Sequence, residues 1–219
     1  MKSPRIALIH ATPVAIDPIV GTFRRMWPDA RIVNLLEDSL STDLAAEGKL
    51  TDRMIARFVT LARYAHECGA AAILFTCSAF GPAIEAAQRA VPIPVLKPNE
   101  AMLKEALAAG SRIGLLATFE PSIPALREEL EQMAAQQARK VEIITCTVPD
   151  ALAELHEGRV DEHDRLIATA AEEIGPCDAL ILGQFSMASA AALIPDCPER
   201  RVLTSPASAV AQLKRQLGP

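Results

Sequence analysis

The chain is poor in aromatic residues and has no cysteine pairing pattern, and both shortages narrow what it can be. Aromatics make up 4% of the 219 residues, with one Trp and one Tyr. No Lys/Arg run accompanies them, and the formal net charge is −5. This gives little support for nucleic-acid binding and points to a small partner. The five cysteines, Cys68, Cys77, Cys146, Cys177 and Cys197, are odd in number and include no C-x-x-C pair. Neither a disulfide framework nor a zinc site is indicated, and a reducing compartment fits best. Missing too are H-x-x-x-H, an acidic metal cluster, G-x-S-x-G and a Gly-rich phosphate loop. Metal, serine-hydrolase and nucleotide chemistry therefore lack sequence support. The apolar stretch at the N-terminus is interrupted by His10, Pro13 and Asp17, too early for a signal-peptide core, so a cytoplasmic location is expected. Two uncharged runs, Cys68 to Ile84 and Ala179 to Pro195, are broken by glycine or proline and hydroxyl residues. They read as buried strand, loop and helix, without membrane insertion.

What is present is apolar and repeated. Half of the residues are hydrophobic, and alanine is abundant, which suits helices packed closely on a buried parallel sheet. Arg5-Ile6-Ala7-Leu8-Ile9 aligns with Arg112-Ile113-Gly114-Leu115-Leu116. Ala72 to Cys77 aligns with Ala179 to Gln184, and Val95-Leu96 with Val202-Leu203, all at one separation of 107 residues. Short aliphatic runs predict strands at 4–11, 30–35, 71–76, 93–97, 111–117, 141–146, 178–183 and 201–204, four per copy. Amphipathic helices are predicted over Thr51 to Glu67 and Asp161 to Ile174. Glu47-Gly48-Lys49 matches Glu157-Gly158-Arg159 at a separation of 110, so the first copy has about three more residues after this point. The fold class is α/β: two pseudo-symmetric domains, each a four-stranded parallel sheet flanked by helices. The first is expected over 1–97 plus 205–219, with Ala207 to Leu217 as its last helix, and the second over 98–204.

In open parallel sheets, ligands bind beyond the carboxyl ends of the strands. Those ends carry His10 and Thr12, then Thr76, Cys77, Ser78 and Ala79, then Lys97 and Asn99, Thr118 and Phe119, Gln184, Phe185 and Ser186, and Ser205. Each group precedes a predicted helix, whose free N–H groups and positive dipole end favour a carboxylate. Cys77 stands out, because a helix start commonly lowers a thiol's pKa from about 8.5. The plainer reading, a small buried hydrophobe, applies to Cys68, Cys146, Cys177 and Cys197. Gln184 is either a backbone-bonded loop residue or an amide that orients a ligand. Thr76, Ser78, Thr118, Ser186 and Ser205 taken singly suit helix caps, and taken together suggest a pocket. His10 is balanced between a satisfied core residue and a site residue. His66, His156 and His163 lie on charged helical stretches and are expected at the surface. Lys97 is read as a solvated lysine beside Pro98.

With Leu74-Phe75-Thr76-Cys77-Ser78, Leu182-Gly183-Gln184 and the duplication, nearly the whole chain resembles the aspartate/glutamate racemase superfamily. That superfamily includes hydantoin racemases, maleate isomerases and arylmalonate decarboxylases. The resemblance implies two pseudo-symmetric α/β halves that enclose a small carboxylate substrate, with no metal or pyridoxal cofactor. Its two-base racemases remove the α-proton with one cysteine and return it with the opposite one. Carried over, Cys77 takes the first role, and Gln184 stands where many members have a second cysteine. An amide cannot relay a proton near neutral pH, so ordinary two-base racemisation is not implied. Decarboxylation, cis/trans isomerisation and one-base epimerisation remain as alternatives, and so does an anion-binding or sensing protein that has lost catalysis. A cysteine hydrolase would need a histidine beside Cys77, for which His10 is the candidate. No cofactor, nucleic-acid or membrane partner is expected, and a homo-oligomer is compatible with the sequence.

Overall fold

The computed structural model describes residues 3–218. Two four-stranded, all-parallel sheets form its framework, each built from one copy of the repeat. In the first, β1 (Arg5–His10) lies between β2 (Arg31–Leu36) and β3 (Ala72–Phe75), and β4 (Val95–Leu96) follows β3. In the second, β5 (Arg112–Ala117) lies between β6 (Glu142–Thr147) and β7 (Ala179–Leu182), with β8 (Arg201–Thr204) beyond. The chain divides into two compact units. One runs to Glu100 and resumes at Ala209, and the other spans Ala101–Ser208.

The repeat is reproduced bond for bond. Ala71 N–H donates to Arg5 O at 2.7 Å, and Asp178 N–H to Arg112 O at 2.8 Å. Thr76 N–H donates to Ile9 O at 3.1 Å, and Gly183 N–H to Leu116 O at 2.8 Å. Past the central strand, Glu37 N–H reaches His10 O as Val148 N–H reaches Ala117 O. The break in the separation is also real: Gly48 and Gly158 both adopt left-handed φ, at 65° and 77°, where a helical segment ends in each copy.

In the first unit α1 (Ile16–Met26) buries Ile19 and Phe23, and α3 (Asp52–Glu67) buries Met54, Phe58, Ala62 and Ala65. Thr51 caps α3 by accepting from Met54 N–H at 3.4 Å. A short α2 (Ser39–Glu47) is joined to α3 by Arg57, which pairs with Glu37 and Asp43. Strand residues Ala7, Ile9, Ile73 and Phe75 pack with Phe58 and with Phe80, Ala83 and Ile84 of the segment leading into and along α4 (Gly81–Ala90). In the second unit the two sheet faces separate cleanly. Ile113, Leu115, Ala179 and Ile181 pack against α5 (Glu100–Ala109) and α6 (Ile123–Gln136). Leu116, Leu180 and Leu182 pack against α8 (Val160–Glu173), which follows a short α7 (Pro149–His156). This is the alternation that a strand's two-residue period dictates. The last helix, α9 (Ser205–Leu217), starts two residues before the predicted Ala207, because Thr204 Oγ1 accepts from Ala207 N–H at 3.4 Å.

The copies diverge after their third strands. In the first, a single 3-10 turn (Ser78–Phe80) leads into α4, whereas in the second Phe185–Ala192 is 3-10 throughout. Gly183 sits just before that segment. A Cβ built there would lie 3.0 Å from Leu126 Cδ1 and 3.1 Å from the main-chain oxygen of Leu116, which is fixed in the sheet. Gly183→Ala is therefore expected to destabilise the fold by about 1–3 kcal/mol, read as a lowered midpoint in urea denaturation.

Candidate active site

The strand order puts the topological switch point of the first sheet between β1 and β3, and that of the second between β5 and β7. His10, Thr12, Thr76, Cys77, Ser78 and Ala79 gather at the first switch point. Thr118, Phe119, Gln184, Phe185 and Ser186 gather at the second. Asn99 lies beyond β4 and is buried, as is Ser205 beyond β8, whose Oγ is 3.5 Å from Met102 Sδ.

Cys77 follows Phe75 and Thr76 on the same extended backbone and stands just before the 3-10 turn. Alternation along β3 sends its side chain to the face of Phe75, and Ile9, His10, Ala11, Leu40 and Phe58 line the same small recess. Burial there pushes the thiol pKa up, and a hydrogen bond from Ala79 N–H to sulfur only partly offsets it. The expectation of a lowered pKa is thus overturned: desolvation of the thiolate outweighs the helix-start dipole.

His10 is fully buried, and both of its ring nitrogens are engaged. Nε2 lies 3.0 Å from Asn34 Oδ1 and Nδ1 lies 2.8 Å from Thr76 Oγ1. The Asn34 oxygen only accepts, so Nε2 carries the proton. Burial lowers the pKa of His10, partly countered by the Asn34 bond, and favours the neutral ring. Nδ1 of a neutral ring with Nε2–H can only accept, so the Thr76 hydroxyl donates to it. His10 is therefore a satisfied core histidine. With both nitrogens hydrogen-bonded to Asn34 and Thr76, it has none free to take the thiol's proton, which counts against the cysteine-hydrolase alternative.

At the equivalent place in the second unit, Gln184 turns its carboxamide onto its own scaffold. Its Oε1 accepts from Thr118 N–H at 2.9 Å and from Thr118 Oγ1 at 3.4 Å, and its Nε2 donates to Ser122 Oγ at 2.6 Å. Ser122 in turn donates to Phe119 O at 2.7 Å. The first of the two sequence readings, a loop residue bonded to backbone, describes it. Thr76 and Thr118 are likewise occupied in these networks and do not cap helices. Phe185 is buried in the core, whereas Phe119 is 51% exposed, and Ser78 and Ala79 are also exposed.

Two further expectations change. Lys97 is paired with Glu85 at 2.6 Å. His163 is completely buried, although the charged residues around it pointed to the surface. Its Nδ1–H donates to Asp164 Oδ1 at 2.7 Å, and Ser189 Oγ donates to the same oxygen at 2.9 Å. Sequence reasoning also missed Asn34 and Ser122 as partners of His10 and Gln184, and no local motif signals either. Among the described residues no group of three or more His, Cys, Asp or Glu side chains could hold a metal ion, and no helix is long and apolar enough to cross a membrane.

The Asp/Glu/hydantoin racemase family model matches residues 19–213. The chain belongs to that family. Similar folds include an aspartate racemase homologue from Pyrococcus horikoshii OT3, at 17% identity and TM-score 0.69, covering 99% of each chain. An allantoin racemase from Klebsiella pneumoniae aligns at 17% identity and TM-score 0.70, over 98% of this chain and 88% of that one. Unliganded arylmalonate decarboxylase aligns at 18% identity and TM-score 0.60, over 99% and 94%. Among curated proteins, none matches this chain in sequence. At these identities the structural likeness speaks to fold, and the chemistry rests on the residues above.

Two outcomes are expected from this geometry. Gln184→Ala leaves the buried Thr118 N–H without its acceptor and is expected to lower stability by about 1–3 kcal/mol, measured by chemical denaturation. The alkylation rate of Cys77, followed by peptide mass spectrometry against pH, is expected to reach its midpoint above that of an ordinary thiol.

Proposed function

We propose that this protein is a cofactor-independent enzyme that moves a proton at the carbon beside a carboxylate of a small substrate, with Cys77 as its one working thiol. The observation that carries this is the pair of duplicated strand ends. One bears a half-buried thiol, and the other bears a carboxamide whose oxygen and nitrogen are both already bonded. A group with no titratable proton cannot return what a first base removes, so two-base racemisation is set aside. The similar folds include proteins named as racemases and one named as a decarboxylase, which supports a reading open to isomerase and decarboxylase chemistry alike.

Apolar surroundings that keep Cys77 protonated favour the acid role. In a decarboxylation, the bond to the departing carboxylate breaks and its electron pair stays on carbon. Negative charge thereby develops on that carbon and spreads into the remaining carboxylate, until the Sγ–H proton passes to the carbon and the thiolate recovers a proton from water. Thr12, Ser78 and the N–H groups of the turn after Cys77, all in the unit that carries the thiol, are the donors assigned to that charge, each such donor being worth a few kcal/mol, roughly 2.7–4.

The occupied Gln184 amide favours one rival, an anion-binding or sensing protein of the same fold without turnover. Substituted malonates, amino acids and hydantoins incubated in deuterated water separate the two. Solvent label at the α-carbon with the wild type, reduced roughly 10²–10⁴-fold in Cys77→Ala, supports the enzyme. Full turnover by Cys77→Ala would falsify the assignment to this thiol. Label appearing only in Gln184→Cys identifies a degenerate racemase, and binding of an anion with no label in either protein identifies the sensor.

A further inference from the structure

We propose that His10 and Thr76 are positioning residues for Cys77: their buried imidazole–hydroxyl pair locks the thiol-bearing strand end, the task that Gln184 performs with its own carboxamide in the other copy. The significance of this for turnover rests on Cys77 being the working thiol. The lock itself can be measured without any substrate.

The argument comes from comparing the copies position by position. In both, the backbone ladder between the central and third strands ends with the same bond, Thr76 N–H to Ile9 O and Gly183 N–H to Leu116 O. The next residue carries the side chain of interest. What fastens the chain at that point differs. In the second copy the positions matching His10, Thr76 and Asn34 are Ala117, Gly183 and Thr145, by the register of β5 with its neighbours. None can form a buried imidazole link, and the contacts facing Gly183 leave no room for a side chain. The strand end is instead tied to the loop after β5 by Gln184, through Thr118 N–H and Ser122.

In the first copy the tie moves one residue back. Thr76 is buried, bonded to His10 Nδ1 at 2.8 Å and, more loosely, 3.4 Å from Ile9 O, while Asn34 on β2 fixes the far side of the ring. A single chain of bonds thus spans β2, β1 and the end of β3. The residue that follows, Cys77, takes no part in that chain of bonds, and its sulfur accepts from Ala79 N–H. A thiol that must exchange a proton cannot also be the anchor of its loop. A carboxamide with no proton to exchange can.

Peptide-resolved alkylation tests this, because it reads Cys77 apart from the exposed Cys68 and Cys197. Thr76→Val keeps the shape and removes the hydroxyl, and Thr76→Ser keeps the hydroxyl. The lock predicts that Cys77 in Thr76→Val reacts roughly three- to tenfold faster than in the wild type, the loss of one hydrogen bond expressed as local opening. It predicts the wild-type rate and pH profile for Thr76→Ser. His10→Leu and His10→Asn form a second pair from the other side of the bond, with the first fast and the second near the wild-type rate; they decide the matter if Thr76→Val does not fold. An unchanged rate in Thr76→Val and His10→Leu overturns the proposal. An equal rise in Thr76→Ser and Thr76→Val overturns it as well, because side-chain volume would then be responsible. If Cys77→Ala retained turnover while these rates behaved as described, the lock would stand and the catalytic assignment would fall.

Discussion

Everything distinctive about this protein depends on where two parallel ladders stop. A main-chain N–H at Thr76 and its counterpart at Gly183 make the last bonds between the central and third strands of their sheets. Beyond them the backbone must leave the sheet and still satisfy its polar groups, which buried main chain cannot forgo. The next side chain is therefore held within a few ångströms of the switch point, whatever its chemistry. Duplication supplies this constraint twice, and the chain fills it with sulfur once and carboxamide once.

Each filling has a consistent local chemistry. Around Cys77 the strands contribute Ile9 and Phe75 and the helices Leu40 and Phe58, and those surroundings disfavour the charged thiolate. Polar contacts sit one residue back along the chain, where His10, Asn34 and Thr76 satisfy one another. Around Gln184 the same work is compressed into a single side chain, and the glycine before it makes room. The two halves share a backbone plan and allocate its obligations differently.

The backbone plan was largely legible in the sequence. Strands that are buried on both faces read as unbroken aliphatic runs, and the constant separation between Arg5 and Arg112 or Ala72 and Ala179 exposed the repeat directly. The offset at Gly48 and Gly158 was legible for the same reason, since a left-handed residue closes a helical segment in both copies. Side-chain wiring was not. Asn34 lies 24 residues from His10, and Ser122 lies 62 from Gln184, so their encounters follow from strand order and leave no local pattern. His163 was misjudged because neighbours on a helix face different ways: Asp161 and Arg165 reach solvent while the imidazole between them turns inward to Asp164. The thiol's pKa was misjudged because a helix dipole can be inferred from chain order, whereas the desolvation that outweighs it depends on Phe58 and Leu40 arriving from elsewhere.

The long 3-10 stretch after Gln184 constrains the vocabulary of its own sequence. With three residues per turn, side chains stack directly above one another at every third position. Rows such as Phe185, Ala188, Ala191 and Ser186, Ser189, Ala192 must therefore be built mostly from small groups. The run of alanine and serine, which looks like ordinary helix-forming material, is here the condition for winding the chain more tightly than an α-helix allows, and it brings Ser189 within reach of the Asp164 carboxylate.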